Sequence, residues 1–84
     1  MSATTITQGA PSLAPGARGS GITAREREIL AWSARGKTSH EIAIITGLTK
    51  RTVDFHLDAA RMKLNAVTRI QAVALAVFHQ LVQL

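Results

Sequence analysis

Residues 38–53 read TSHEIAIITGLTKRTV, and this stretch decides the fold. Thr38 and Glu41 have the spacing of a capping box, in which a Thr hydroxyl and a Glu carboxylate satisfy free backbone N–H groups at the start of a helix. Gly47 is typical of a helix end, because glycine adopts a left-handed conformation without strain. Thr49 then caps the start of another helix. The stretch therefore predicts two short helices joined by a tight turn.

Capping signals also divide the rest of the chain. Thr23 with Glu26, and Thr68 with Gln71, repeat the capping-box spacing on either side of the central pair of helices. Four helix starts in a short chain predict an all-α fold, a four-helix bundle with a central helix-turn-helix. The predicted helices cover residues 24–34, 39–46, 50–64 and 69–84.

The apolar residues of the first three helices define the expected core. In the third helix they recur at i, i+4, i+7 and i+11, which places them on a single stripe. The residues predicted to face inward are Ile29, Leu30, Trp32, Ile42, Ala43, Ile45, Val53, Leu57, Ala60 and Leu64.

The predicted fourth helix is apolar over more of its circumference than one buried face requires. In so small a domain only one face can be buried inside, and contiguous exposed apolar area usually marks an interface. Val73, Val77 and Leu81 are therefore predicted to pair with the same helix of a second chain. The alternative is that residues absent from this sequence cover that surface.

The composition narrows the class of partner. Lys and Arg number 10 against 5 acids, a net charge of +5, which favours an acidic partner. The absence of cysteine excludes disulfides and Cys-based zinc sites. No secretory signal opens the chain, and residues 70–84 are too few and too often interrupted by polar side chains to cross a bilayer. We expect a soluble cytoplasmic protein with one domain, residues 22–84, after a flexible tail, residues 1–21.

The sequence carries no signature of an enzyme or a metal site. His40, His56 and His79 lie far apart and lack metal-ligand spacing. Asp54 and Asp58 share a helix face, but four short helices offer no cleft that would desolvate a carboxylate pair. We expect no enzymatic activity, no metal and no cofactor.

The third predicted helix carries long polar side chains opposite its apolar stripe. Such a helix fits the major groove of DNA, and the backbone N–H groups at its start suit a phosphate. The alternative is a solvated face held by local ion pairs, Arg51 with Asp54 and Asp58 with Arg61. The polar residues of this face are Lys50, Arg51, Asp54, Asp58, Arg61 and Lys63.

Residues 22–84 resemble the LuxR-type helix-turn-helix DNA-binding domain in an ordered set of short motifs. The run from Ile22 to Leu30 is similar to the start of that domain. The features most similar to its quorum-sensing branch are Trp32, residues 36–39 (GKTS) and residues 55–57 (FHL). Further matching positions are Glu41, Ile42, Ala43, Thr52, Val53, Lys63, Leu64, Val67, Arg69, Gln71, Ala72 and Val73.

The resemblance implies a LuxR/GerE-like fold whose third helix enters the major groove and whose fourth helix pairs with its twin. Family members commonly place Asn, Lys or Arg at the positions of Asp54 and Asp58. Aspartate accepts from cytosine N4 but is repelled by the phosphate field. Together with the charged face, the resemblance gives phosphate-contact candidates Thr38, Thr49, Lys50, Arg51, Thr52 and Lys63, and base-facing candidates Asp54, Asp58 and Arg61.

Two functional hypotheses follow. The first is a transcription regulator of the bacterial cytoplasm and nucleoid that binds double-stranded DNA at a two-fold operator as a weak homodimer. The second is a short module, defective in DNA binding, that forms a heterodimer with a full-length LuxR-type regulator and inhibits it; Asp54 and Asp58 favour this one. Lactone-sensing family members carry a ligand-binding domain before this one, and 21 residues are too few for its pocket. We therefore expect no small-molecule ligand for this chain, and no membrane partner.

Overall fold

The computed structural model describes residues 21–83, and within that range the chain forms four α-helices and no strand. They are α1 (Ala24–Ala34), α2 (Ser39–Thr46), α3 (Lys50–Lys63) and α4 (Arg69–Phe78). The predicted all-α, four-helix architecture is confirmed. The predicted tail lies outside the described residues except for Gly21. None of these four helices has the length and apolar character needed to span a membrane.

Threonine hydroxyls cap the helices as their spacing predicts. At Thr23 and Thr38 the capping boxes are complete, because the carboxylates of Glu26 and Glu41 accept from the backbone N–H of the threonine at 3.0 and 2.8 Å. This hydrogen bond from Thr38 lowers the pKa of Glu41. The first two helix starts therefore follow from local sequence alone.

The capping box predicted at Thr68 is wrong in one half. The Thr68 hydroxyl accepts from the N–H of Gln71 at 3.1 Å, but the Gln71 side chain accepts from the N–H of Val67 at 2.7 Å. Thr68 has φ −128°, against −75° at Thr23, so the backbone enters α4 along a different path. Gln71 thereby ties the preceding loop to the first turn of α4.

The core lies among all four helices, and most of the predicted inward residues form it. Ile29, Leu30, Ile42 and Val53 are fully buried. Leu57 and Ala60 extend the buried stripe of α3, Ala43 adds to α2, and Trp32 and Leu64 pack against this core while partly buried.

The predicted inward position of Ile45 is wrong. Its side chain is 44% exposed, while Ile42 and Ala43 of the same helix are buried. An eight-residue helix makes little more than two turns and buries one face. Ile45 lies to the side of the face that Ile42 and Ala43 define.

The predicted fourth helix is too long. α4 ends at Phe78, and in the turn that follows the backbone N–H of Leu81 donates to the carbonyl oxygen of Ala76 at 2.8 Å. The turn brings Val82 back into the core, where it is 5% exposed. A straight helix would carry Val82 past the end of this small core, which is why the apolar pattern misplaced the boundary.

One carboxylate, Glu26, lies inside the fold, and sequence reasoning assigned it only to a cap. The side-chain amino group of Lys63 donates to both Glu26 oxygens at 2.9 Å and to the carbonyl oxygen of Gly21 at 3.1 Å. Burial alone raises the pKa of Glu26, but the hydrogen bonds from Lys63 and Thr23 outweigh it and the pKa is lowered. The ionised pair fastens the start of α1 to the end of α3.

Candidate nucleic-acid interface

The helix-turn-helix consists of α2, a short turn and α3. Gly47 has φ 78°, in the left-handed region, and its N–H donates to the carbonyl oxygen of Ala43 at 2.9 Å. Leu48 packs against the core and anchors the turn from inside. Thr49 accepts from the N–H of Thr52 at 3.1 Å and so caps α3. The predicted turn, with Gly47 as its helix end, is confirmed.

The first turn of α3 carries basic side chains and no acid. The Lys50 side chain is 63% exposed, and Arg51 is exposed beside it. Their charges add to the partial positive charge and free N–H groups of the helix N-terminus. Such an arrangement can bind an anion, including a backbone phosphate. The structure thus brings together the phosphate candidates Thr49, Lys50, Arg51 and Thr52.

Asp54 lies one turn further along α3 and joins three helices. The Ser39 hydroxyl on α2 donates to Asp54 Oδ1 at 2.6 Å, and Lys50 Nζ donates to Oδ2 at 2.9 Å. From α4, Arg69 Nη1 donates to Oδ1 at 2.9 Å and Nη2 to the Asp54 carbonyl oxygen at 3.3 Å. The hydrogen bond from Ser39, followed by those from Lys50 and Arg69, holds the pKa of Asp54 far below its usual range.

These contacts change the interpretation of Asp54. The predicted ion pair between Asp54 and Arg51 is wrong, because Asp54 pairs with Lys50 and Arg69 instead. Both carboxylate oxygens already accept hydrogen bonds within the chain. The predicted contact with a base stays a prediction, and the geometry instead makes Asp54 the point where α2, α3 and α4 meet.

The ion pair predicted between Asp58 and Arg61 is confirmed. Arg61 Nε donates to Asp58 Oδ1 at 3.0 Å, and Arg61 Nη1 donates to the carbonyl oxygen of Ala66 at 3.0 Å. The guanidinium therefore leans toward the loop between α3 and α4. Arg61, a base-facing candidate, is already committed to two acceptors inside the chain.

The predicted phosphate candidates do not all lie together. Lys63 is at the opposite end of α3 from Lys50, about 20 Å along the helix axis, where its amino group is bound to Glu26. Thr38 caps α2 and lies outside the first turn of α3. The phosphate contact of Lys63 stays a prediction that this geometry does not support.

The outward face of α3 also carries two exposed apolar residues that sequence reasoning did not assign to the site. Phe55 is 68% exposed and Met62 is 63% exposed. The signal was available in the sequence, because a stripe of Val53, Leu57 and Ala60 places these two residues on the opposite side of a helix. They were missed because only the charged residues of this face were considered.

The outer surface of α4 is apolar. Ile70 is 84% exposed and Phe78 is 78% exposed, with the exposed Ala74 between them. The predicted dimerisation residues Val73, Val77 and Leu81 are only partly exposed and pack against the core. Leu81 also lies beyond the end of the helix. The most exposed residues of α4 therefore lie on the row next to the predicted dimerisation residues.

Comparison with known proteins agrees with this architecture. The chain matches the family described as "Bacterial regulatory proteins, luxR family" over residues 20–76. The transcriptional activator protein BjaR1 of Bradyrhizobium diazoefficiens is 46% identical over 61 residues, which are 73% of this chain and 25% of that protein. The HTH-type quorum sensing-dependent transcriptional regulator RpaR of Rhodopseudomonas palustris is 51% identical over 63 residues, 75% of this chain and 26% of that protein.

The transcriptional activator protein LuxR of Aliivibrio fischeri is 48% identical over 56 residues, 67% of this chain and 22% of that protein. The chain thus spans about a quarter of the length of the curated relatives it matches. The family match covers more than half of the chain and runs from before α1 into α4. The chain belongs to the luxR family of bacterial regulatory proteins.

Proposed function

We propose that this chain is the DNA-binding module of a transcription regulator, with α3 as the recognition helix in the major groove of double-stranded DNA. The basic first turn of α3 carries this proposal. There the helix dipole, Lys50 and Arg51 suit a phosphate at the edge of the groove, while the exposed face of α3 runs along the base edges. Relatives named as transcriptional activators support the same function.

The polar residues near the start of α3 position the domain on the DNA backbone. Lys50 and Arg51 supply charge, and Thr38 and Thr49 stand at the starts of α2 and α3, where the helix dipole favours a phosphate. Such contacts fix orientation and register without reading sequence. Lys63 is left out of this set because Glu26 binds it at the far end of α3.

Asp54 supports DNA binding through its neighbours. A single carboxylate faces Lys50 and Arg69, so this cluster keeps a net positive charge. The negative charge of Asp58 is likewise balanced by Arg61. The two acids therefore repel phosphate less than their residue type suggests.

We further propose that α4 forms the dimer contact. Its exposed row of Ile70, Ala74 and Phe78, flanked by the partly exposed Val73 and Val77, would pack against the same row of a second chain across a two-fold axis. A dimer of this kind places two copies of α3 in successive major grooves, and its operator would be two-fold symmetric.

The same apolar surface supports a second candidate, a module that pairs with a related full-length regulator and inhibits it. This second candidate assumes that α3 binds DNA poorly. The ion pairs of Asp54 and Asp58 weaken this requirement, while the exposed Ile70 and Phe78 fit a partner helix in either case. DNA binding by the chain alone separates the two candidates.

We also propose a biological setting for the protein. RpaR is by name a quorum sensing-dependent regulator, and we extend that class of regulation, in the bacterial cytoplasm and at the nucleoid, to the protein that contains residues 21–83.

A salt titration tests the proposed interface. Duplexes selected by the chain from a randomised palindromic pool would be titrated by fluorescence anisotropy at several salt concentrations. Replacing Lys50 or Arg51 by Gln should weaken binding to selected and random duplexes alike. Each change should reduce the slope of log affinity against log salt by about one unit, because one fewer phosphate contact releases fewer counterions.

Arg25→Gln is the matched control. Arg25 is exposed on α1, outside the helix-turn-helix, and pairs with Glu28 at 3.1 Å. The same loss of one charge should leave the salt slope unchanged there. Equal effects at Arg25 and Arg51 would mean that only net charge matters, and a chain that binds no duplex would favour the inhibitory module.

A further inference from the structure

The outward face of α3 combines exposed apolar side chains with polar groups that are already paired. Phe55 and Met62 project from the face that the proposed function turns toward DNA. Around Phe55, Asp54 is held by Ser39, Lys50 and Arg69, and Asp58 is held by Arg61. Both oxygens of Asp54 and one oxygen of Asp58 therefore already accept hydrogen bonds within the protein.

The exposed Phe55 ring has an aromatic neighbour. It makes an edge-to-face contact with the ring of His56, with 5.8 Å between ring centroids and an interplanar angle of 70°. His56 is only partly exposed. This contact favours one orientation of the ring, so less conformational entropy is lost when a binding partner meets the ring in that orientation.

The major groove offers one apolar group at the base edges, the 5-methyl of thymine. An exposed phenylalanine in the groove can pack against that methyl, but it has no group that could form a hydrogen bond with a base edge. We infer that Phe55 is a specificity residue that contacts a thymine methyl at one position of each half-site. This inference rests on the proposed function and adds a base preference that the charged residues do not supply.

Methyl deletion in the DNA tests the inference directly. In a palindromic duplex selected by the full chain, each thymine would be replaced in turn by deoxyuridine, which keeps the Watson–Crick edge and removes only the methyl. One position of each half-site should lose affinity by about fourfold, the value of removing one buried carbon from an apolar contact. Phe55→Ala should bind the parent duplex more weakly and show no further loss with deoxyuridine at that position.

Met62→Ala is the matched control, since it truncates another exposed apolar side chain on the same face. It should retain the deoxyuridine loss. Phe55→Leu, which keeps an apolar group, should retain part of it, and circular dichroism should show parent-like helix content for every variant. If Phe55→Ala does not fold, the deoxyuridine series on the parent chain together with Phe55→Leu still decides.

The results that would contradict the thymine contact differ in what they say about the proposed function. A selected duplex whose affinity is insensitive to every thymine methyl, or a loss that Phe55→Ala leaves intact, would overturn the inference while the proposed function stands. A pool that yields no duplex bound more tightly than random DNA would overturn both. A Phe55→Ala change in the sedimentation of the free chain, without a change in the deoxyuridine loss, would assign Phe55 to a contact between chains and overturn the thymine contact.

Discussion

The two ends of α3 carry the same chemical pair in opposite surroundings. At the first turn Lys50 Nζ lies 2.9 Å from an Asp54 oxygen, and the side chains are 63% and 27% exposed. At the last turn Lys63 Nζ lies 2.9 Å from a Glu26 oxygen, and the side chains are 35% and 5% exposed. The distances are equal, so burial is what separates the two lysine–carboxylate pairs.

Burial decides what each pair does for the molecule. A solvated ion pair adds little to stability because water already stabilises both charges. A buried carboxylate that loses its cation keeps a charge that nothing solvates. We therefore expect Lys63 to contribute to folding and Lys50 to remain available for a phosphate.

The largest expected effect on stability comes from a substitution in the buried stripe of α3, which packs the whole helix against the core. Leu57→Ala opens a cavity in the buried stripe of α3 and should cost about 2–5 kcal/mol of unfolding free energy, enough to unfold much of so small a domain. Thermal and urea melts followed by circular dichroism measure it. Met62→Ala, on the exposed side of the same helix, should cost no more than about 0.5 kcal/mol. Equal costs at the two positions would show that Leu57 does not hold α3 in place.

Exchanging the two lysines for glutamine tests the comparison itself. Lys63→Gln should lower the unfolding free energy by about 1–3 kcal/mol, because Glu26 stays buried without its cation. Lys50→Gln should change stability by less than about 1 kcal/mol. DNA affinity should show the opposite order. Lys50→Gln should bind DNA more weakly than Lys63→Gln when both are measured well below their melting temperatures. If Lys50→Gln and Lys63→Gln had equal effects on stability and equal effects on DNA affinity, the two lysines would not have separate roles in DNA binding and folding.

Acid should weaken both pairs, because it protonates their carboxylates. The pKa values of Glu26 and Asp54 are both lowered in the folded chain. Their contribution to stability is therefore fully present above the unfolded-state values, about 4, and is lost as the pH falls through the lower folded-state values. Urea midpoints at pH 5 and pH 3 should fall more for the parent than for Glu26→Gln. The same loss in both would mean that Glu26 is not held ionised by Lys63.

Local sequence was sufficient for the first three helices. Thr23, Thr38 and Thr49 set the helix starts through hydrogen bonds that reach only three residues, and Gly47 sets one end through its own backbone conformation. Such short-range interactions can be read from spacing, so the predicted bounds of α1 and α2 coincide with the observed ones.

The parts that sequence could not supply depend on distant partners. Lys63 and Glu26 are 37 residues apart, and Asp54 meets Ser39 and Arg69 at a separation of 15 residues each. Lysine has no local signal that separates a phosphate contact from an internal ion pair. The end of α4 was missed for the same reason, because it depends on burying Val82 in a core that the other helices create.

The smallest stability effect concerns Asp58, which lies between the two ends. Its pair with Arg61 at 3.0 Å is solvated on the acid side, where the side chain is 54% exposed. Arg61 also donates to the Ala66 carbonyl oxygen, so it keeps an anchor when the acid is lost. Asp58→Lys should therefore change the unfolding free energy by only a few tenths of a kcal/mol.

Its effect on DNA should be larger than its effect on folding, because Asp58 lies on the exposed face of α3 near Phe55. Replacing a negative charge by a positive one there should raise affinity for random duplex and steepen the salt slope by up to about one unit. Asp58→Asn, which removes the charge without reversing it, should raise affinity less and leave the slope nearly unchanged. Paired isotherms on selected and random duplexes at matched salt measure both. An unaltered affinity for random DNA would place the middle of α3 away from the phosphates, and the contrast between its ends would then reflect burial alone.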